Sequence, residues 1–151
     1  MRIAIGSDHA GVALKASVRG HLESLGHEAV DLGTDDPEVS VDYPDFGAAV
    51  GRAVVEGEVE LGIAICGTGI GICMAASKLR GIRAAVVHDV TTARLAKEHN
   101  HANVICLGAR VLGTQTALDA VDAYLEALPL EGRHLDRIAK LAALDDAAGL
   151  S

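Results

Sequence analysis

The segment Leu61-Gly62-Ile63-Ala64-Ile65 is apolar at every position and runs into the turn Cys66-Gly67-Thr68-Gly69-Ile70-Gly71. A strand with no polar alternation has both faces covered, as interior strands of parallel sheets do. Parallel neighbours need crossover connections, so helices should flank it. The remaining chain agrees. Arg2–Gly6, Glu28–Leu32, Arg83–His88 and Asn103–Leu107 read as four more short strands. Between them, Leu14, Val18, Leu22 and Leu25 recur at helical spacing and stop at Gly26. Pro44 opens a second helix, with Phe46, Val50, Ala53 and Val54 on one face, that stops near Gly57. Further helices are expected from the glycine turn through Lys78, over Thr91–Glu98, Thr114–Leu128 and Gly132–Leu144. Asp35–Tyr43 is the longest loop. The expectation is an α/β fold: a five-stranded parallel sheet with helices on both faces. With strand order 2-1-3-4-5, the order reverses between strands one and three, where such folds bind ligands. The strand ends there carry Ser7-Asp8-His9 and Cys66-Gly67-Thr68.

Composition narrows the function. The 151 residues form one expected domain, 1–151, and half of them are hydrophobic. Thirteen Lys and Arg against 21 Asp and Glu leave a net charge of -8, which argues against a nucleic-acid partner. Tyr43, Tyr124 and Phe46 are the sole aromatics, too few for a base-stacking platform. No apolar run has the length of a membrane span, and Met1–Ile5 lacks the layout of a signal peptide. Cys66, Cys73 and Cys106 have no framework spacing, so free thiols and a cytoplasmic setting are expected.

The glycine turn is the most informative motif. Glycines allow positive φ and let N–H groups converge on one spot, which suits a phosphate or a developing oxyanion. The spacing is G-x-G-x-G, with neither the dinucleotide pattern nor a P-loop lysine. A tight turn with no ligand is the alternative. Cys66 leads the turn, where a thiol is set up to act as base, nucleophile or redox group. A phosphatase-type loop needs Arg where Ile72 stands, and no C-x-x-C is present. Cys73 and Cys106 read as inert packing thiols.

Asp8 and His9 follow the first strand, as substrate ligands or, for Asp8, as a helix cap. Glu98-His99-Asn100-His101 brings histidines suited to proton transfer. A metal held by His99 and His101 with His88 or Cys106 is another reading, but no zinc motif frames it. Arg133 and Arg137 share one helix face and form a fork for phosphate, or an ordinary solvated face. Arg110 follows the fifth strand.

Taken together, Ile5–Gly11, Val41–Pro44, Ile65–Gly71, Glu98–Asn100 with Asn103-Val104, and Gly132–His134 with Arg137 resemble the type B ribose-5-phosphate isomerases. That family includes the galactose-6-phosphate isomerase subunits, and the matching segments span nearly the whole chain in family order. The resemblance implies a Rossmann-like three-layer α/β/α sandwich and aldose–ketose isomerisation. It also implies a homodimer or tetramer with active sites at the dimer interface, and no metal or organic cofactor. By the same resemblance Cys66 moves the proton between C1 and C2, and Thr68 assists. The N–H groups of Gly67, Thr68, Gly69, Ile70 and Gly71 hold the enediolate oxygen. His99 opens the sugar ring. Asp8, His9, Tyr43 and Asn100 hold sugar oxygens, and Arg110, Arg133 and Arg137 hold phosphate. Val12, Cys73 and Ser77 depart from the family pattern, and Val12 is expected to alter the pocket beside Asp8 and His9. The competing readings are an isomerase of another phosphorylated sugar, a non-catalytic phosphosugar-binding module, a thiol hydrolase, and a metal-dependent isomerase.

Overall fold

A computed structural model of the chain describes residues 1–148. Strand β1 (Arg2–Ser7) passes through a short 3₁₀ turn into helix α1 (Val12–Ser24), and β2 (Glu28–Asp31) follows. Helix α2 (Tyr43–Val55) leads to β3 (Leu61–Cys66) and α3 (Ile70–Ala76). The chain continues through β4 (Ala84–Val86), α4 (Val90–Asn100), β5 (Val104–Gly108), α5 (Thr114–Glu126) and α6 (Arg133–Ala148). All strand pairs are parallel.

The sheet order is β2-β1-β3-β5-β4, which corrects the assumed 2-1-3-4-5. Burial explains the exchange. All five residues of β5 are buried, so it takes the interior place beside β3. The three residues of β4 are half-buried and take the edge. The reversal between β1 and β3 survives, so the ends of those strands still form a crevice.

Side-chain size divides the two faces. Ile3, Ile5, Ile63, Ile65, Ile105 and Leu107 pack against α1, α4 and α5, where Tyr124 donates from its hydroxyl to the Ala102 carbonyl (2.8 Å). Burial of Tyr124 pushes its phenol pKa upward, which keeps that donor protonated. The opposite face presents Ala4, Gly6, Gly62 and Ala64, and α2 settles closely upon it. A Cβ on Gly62 would lie 2.6 Å from a Val50 methyl. Helix α6 packs on α4 and reaches the β4 side of the sheet, where the Gly81 N–H donates to Asp145 (2.9 Å).

These contacts set the sign of two glycine substitutions. Gly62→Ala overpacks the sheet and is expected to cost about 1–3 kcal/mol in urea denaturation. Gly20→Ala on α1, where a Cβ meets open space, is expected to add about 0.5–1 kcal/mol of stability.

Candidate active site

At the end of β1, the Asp8 carboxylate accepts from the Ala10 (3.0 Å) and Gly11 (3.2 Å) N–H groups through one oxygen. The capping role expected for Asp8 is therefore present, and its other oxygen takes no part in it. The Asp8 N–H donates to the Ile65 carbonyl (3.3 Å), which joins the two strand ends. The ring of His9 accepts the Val41 N–H at Nδ1 (3.2 Å).

The turn after β3 is stapled to the end of β5. The Ala109 N–H donates to the Cys66 carbonyl (2.8 Å), and the Arg110 N–H to the Gly67 carbonyl (2.9 Å). Gly69 has φ +79°, and a Cβ on Gly108 would lie 2.6 Å from the Thr68 carbonyl oxygen. Both positions thus require glycine. Cys66 is 4% exposed and sits beneath the turn, where its Sγ accepts the Gly69 N–H (3.2 Å). The Ile70 N–H turns to the Thr68 hydroxyl (3.3 Å), so two of the turn's donors are engaged internally. The Tyr43 ring lies flush on Gly71, and the Arg110 guanidinium lies on Gly67.

These elements enclose a cleft of about 200 Å³ lined by Asp8, His9, Ala10, Tyr43, Cys66, Gly67, Thr68, Gly71 and Arg110. Residues far apart in sequence meet here, and all but Ala10 are candidates from the sequence alone. Gly69 and Ile70 shape the turn without lining the cleft. Val12 lines a neighbouring cleft with Lys15 and Asp31 and does not line the cleft of Asp8 and His9. Sequence reasoning missed Lys15. Its signal was its register: Lys15 stands three before Val18 and seven before Leu22, on the buried face of α1.

His99, Asn100, Arg133 and Arg137 do not line that cleft. His99, in the last turn of α4, stacks on His134 of α6 (centroids 4.5 Å apart, 18° between planes). Desolvation lowers the His134 pKa, and His99, Arg133 and Arg137 lower it further, so all three side chains lie close to the His134 ring. Asn100 borders another cleft, with Arg83 and Asp145. The residues of the metal reading disperse: the His101 Nε2–H donates to the Leu130 carbonyl (2.8 Å), and Cys106 is buried in the sheet. Among the described residues, no three His, Cys, Asp or Glu side chains are placed to share a metal.

Cys73 differs from the inert thiol expected. The Cys106 thiol donates to it, which brings the Cys73 pKa down to about 7, while Cys106 is pushed well up by that bond and by burial. The thiolate is the reactive form, so Cys73 reactivity rises as pH climbs through about 7. Iodoacetamide labelling followed by peptide mass spectrometry is expected to show a Cys73 midpoint near pH 7, with Cys106 unlabelled. Cys106→Ala is expected to move that midpoint upward.

Comparison with known proteins agrees with this geometry. The profile of the Ribose/Galactose Isomerase family matches residues 3–141. Ribose-5-phosphate isomerase B of Escherichia coli is 44% identical over 144 residues, covering 95% of this chain and 96% of that protein. The structure of Clostridium thermocellum ribose-5-phosphate isomerase B superposes with a TM-score of 0.96 at 49% identity, covering 98% of this chain and 99% of that one. The Mycoplasma genitalium enzyme, solved with bound ribulose-5-phosphate, has a TM-score of 0.92 at 41% identity, with 96% of both chains covered. A crevice at the β1/β3 reversal, floored by a thiol and walled by a glycine turn, thus sits on a chain matched almost end to end, and the chain belongs to the ribose/galactose isomerase family of sugar-phosphate isomerases.

Proposed function

We propose that the chain interconverts ribose 5-phosphate and ribulose 5-phosphate, a pentose phosphate pathway reaction, through an enediolate and without a metal. The carrying observation is the position of Cys66: a buried thiol at the floor of a polar cleft, beside a turn rich in N–H groups. Removing a proton α to a carbonyl needs a positioned base and preorganised donors for the oxygen that gains charge. In this reading Cys66 takes the C2 proton of the aldose and returns it to C1. N–H groups of the turn, with the Thr68 hydroxyl, hold the enediolate oxygen. Asp8, His9 and Tyr43 bind the sugar oxygens, and Arg110 faces the phosphate.

His99 as the ring-opening acid–base, Asn100 as a sugar ligand and Arg133 and Arg137 as phosphate ligands reach the cleft from a second copy. Two observations support that arrangement. These residues lie outside the cleft of their own chain, and apolar side chains stand exposed beside both half-sites. Ile70 and Met74 are exposed on α3, and Leu135, Leu141 and Leu144 on α6. A two-fold dimer would place each chain's α6 at its partner's cleft and bury such surface. The free thiols fit a reducing compartment such as the cytoplasm. No described helix is long and apolar enough to cross a membrane.

The test is ketose formation from ribose 5-phosphate in excess chelator. Wild type is expected to be active, and folded Cys66→Ala to lose about 10³-fold or more in kcat. Full activity in Cys66→Ala overturns the proton-transfer role. Loss of wild-type activity in chelator overturns the metal-free mechanism. Tetrose and hexose phosphates assayed in parallel establish which sugar has the highest kcat/KM.

Mixing two defective variants tests the shared site. Cys66→Ala and His99→Ala dimers, unfolded and refolded together, are expected to regain about a quarter of wild-type sites, because half of the mixed molecules carry one intact site. No recovery in refolded mixtures that contain heterodimers would show that each chain builds its site alone.

A further inference from the structure

We propose that Lys15 is a positioning residue for the sugar-binding wall of the cleft. It clamps the segment after β2, and the far end of that segment holds His9 in one tautomer. The proposal deepens the sugar-phosphate reading above and rests on it for its kinetic consequence.

The Lys15 side chain is 2% exposed, and its Nζ donates to both Asp31 oxygens and to Asp35, each at 2.8 Å. An ammonium has three protons, and all three are placed. A buried ion pair is weak evidence for stability, since an apolar residue of similar volume often serves as well. The register of α1 asks for an apolar residue here. What the charge adds is a defined geometry for two carboxylates on the segment that leaves β2.

That geometry propagates in both directions. The Asp31 carboxylate also accepts the Gly33 N–H (3.0 Å), and a Cβ on Gly33 would lie 2.5 Å from the Ser7 nitrogen. The Leu32 N–H donates to the Ile5 carbonyl (2.8 Å) and the Thr34 N–H to the Ser7 carbonyl (3.1 Å). The clamp therefore presses the segment onto the residues that precede Asp8 and His9. Beyond Asp35 the chain is exposed through residue 40 and makes only short-range bonds, Asp36 N–H to Thr34 Oγ1 (3.3 Å) and Glu38 N–H to Asp36 (2.9 Å). It returns to the site at Val41, whose N–H donates to His9 Nδ1.

A backbone N–H can only donate, so Nδ1 of His9 is unprotonated in this bond. The neutral ring then carries its proton on Nε2 and presents a donor to a sugar oxygen. Losing the tether at Lys15 frees the segment, and the Val41 bond no longer selects that tautomer. Arg19 also reaches Asp31 (3.4 Å), so Asp31 keeps one cationic partner when Lys15 is replaced.

The experiment compares Lys15→Met with Asp35→Ala, whose side chain is 87% exposed and whose loss spares the buried part of the clamp. Imidazole ¹⁵N spectra, with the His9 signals assigned by His9→Gln, read the tautomer without substrate. Wild type is expected to show the Nε2–H form alone. Lys15→Met should show a mixture with a five- to tenfold higher KM for ribose 5-phosphate and kcat within twofold. Asp35→Ala should move both readouts the same way, with KM two- to threefold higher. An unchanged His9 tautomer in folded Asp35→Ala and Lys15→Met overturns the proposal, as does an unchanged KM. If Lys15→Met does not fold, Asp35→Ala decides. If wild type does not act on ribose 5-phosphate, the functional reading fails, and the spectra alone decide the role of Lys15.

Discussion

The hydrogen of Gly108 stands against the Thr68 carbonyl where no Cβ could fit, and the candidate site depends on that close approach. It lets the backbone after β5 staple the turn after β3 through the Cys66 and Gly67 carbonyls. With the turn held there and Gly69 in the left-handed region, Cys66 is pinned under the Gly69 N–H. Tyr43 can lie on Gly71 only because that position, too, lacks a side chain. Cys66, Tyr43 and the glycine turn are thus placed by backbone contact between rigid strand ends, which holds them more tightly than flexible side chains could.

Charge is distributed unevenly over this frame. The chain is acidic overall, yet Arg110 lies at the cleft, and Arg133 and Arg137 gather beside His99 and His134. Local cations within an acidic surface select a small anion and disfavour a polyanion, whose many phosphates need an extended basic face. Lys15 belongs to a different class. It is buried against two carboxylates, so its charge orders the segment behind the cleft and offers nothing to a ligand in solution.

The departures from expectation have physical causes. Sheet order is a matter of which strand buries more, and β5 outcompetes β4 through its larger and fully covered side chains. A pattern of alternating elements does not contain that comparison. The contrast between Cys73 and Cys106 depends on a contact between α3 and β5, which are separated by two other elements. Val12, at the start of α1, lines the Lys15 cleft, while Asp8 and His9 line the one beside it.

By itself the sequence determined the element alternation, the apolar interior strand, the glycine turn behind Cys66, and the chemical types available at the strand ends. These are local: hydrophobic period, glycine spacing and residue identity act over a few residues. Only the tertiary structure decided that Asp8, His9, Tyr43, Cys66, Thr68 and Arg110 share one cleft while His99, Asn100, Arg133 and Arg137 lie outside it. It also decided that Lys15 is buried and that His9 accepts from Val41. Those facts depend on how strands pair and helices pack across the whole chain, and no window of sequence contains both partners of such a contact.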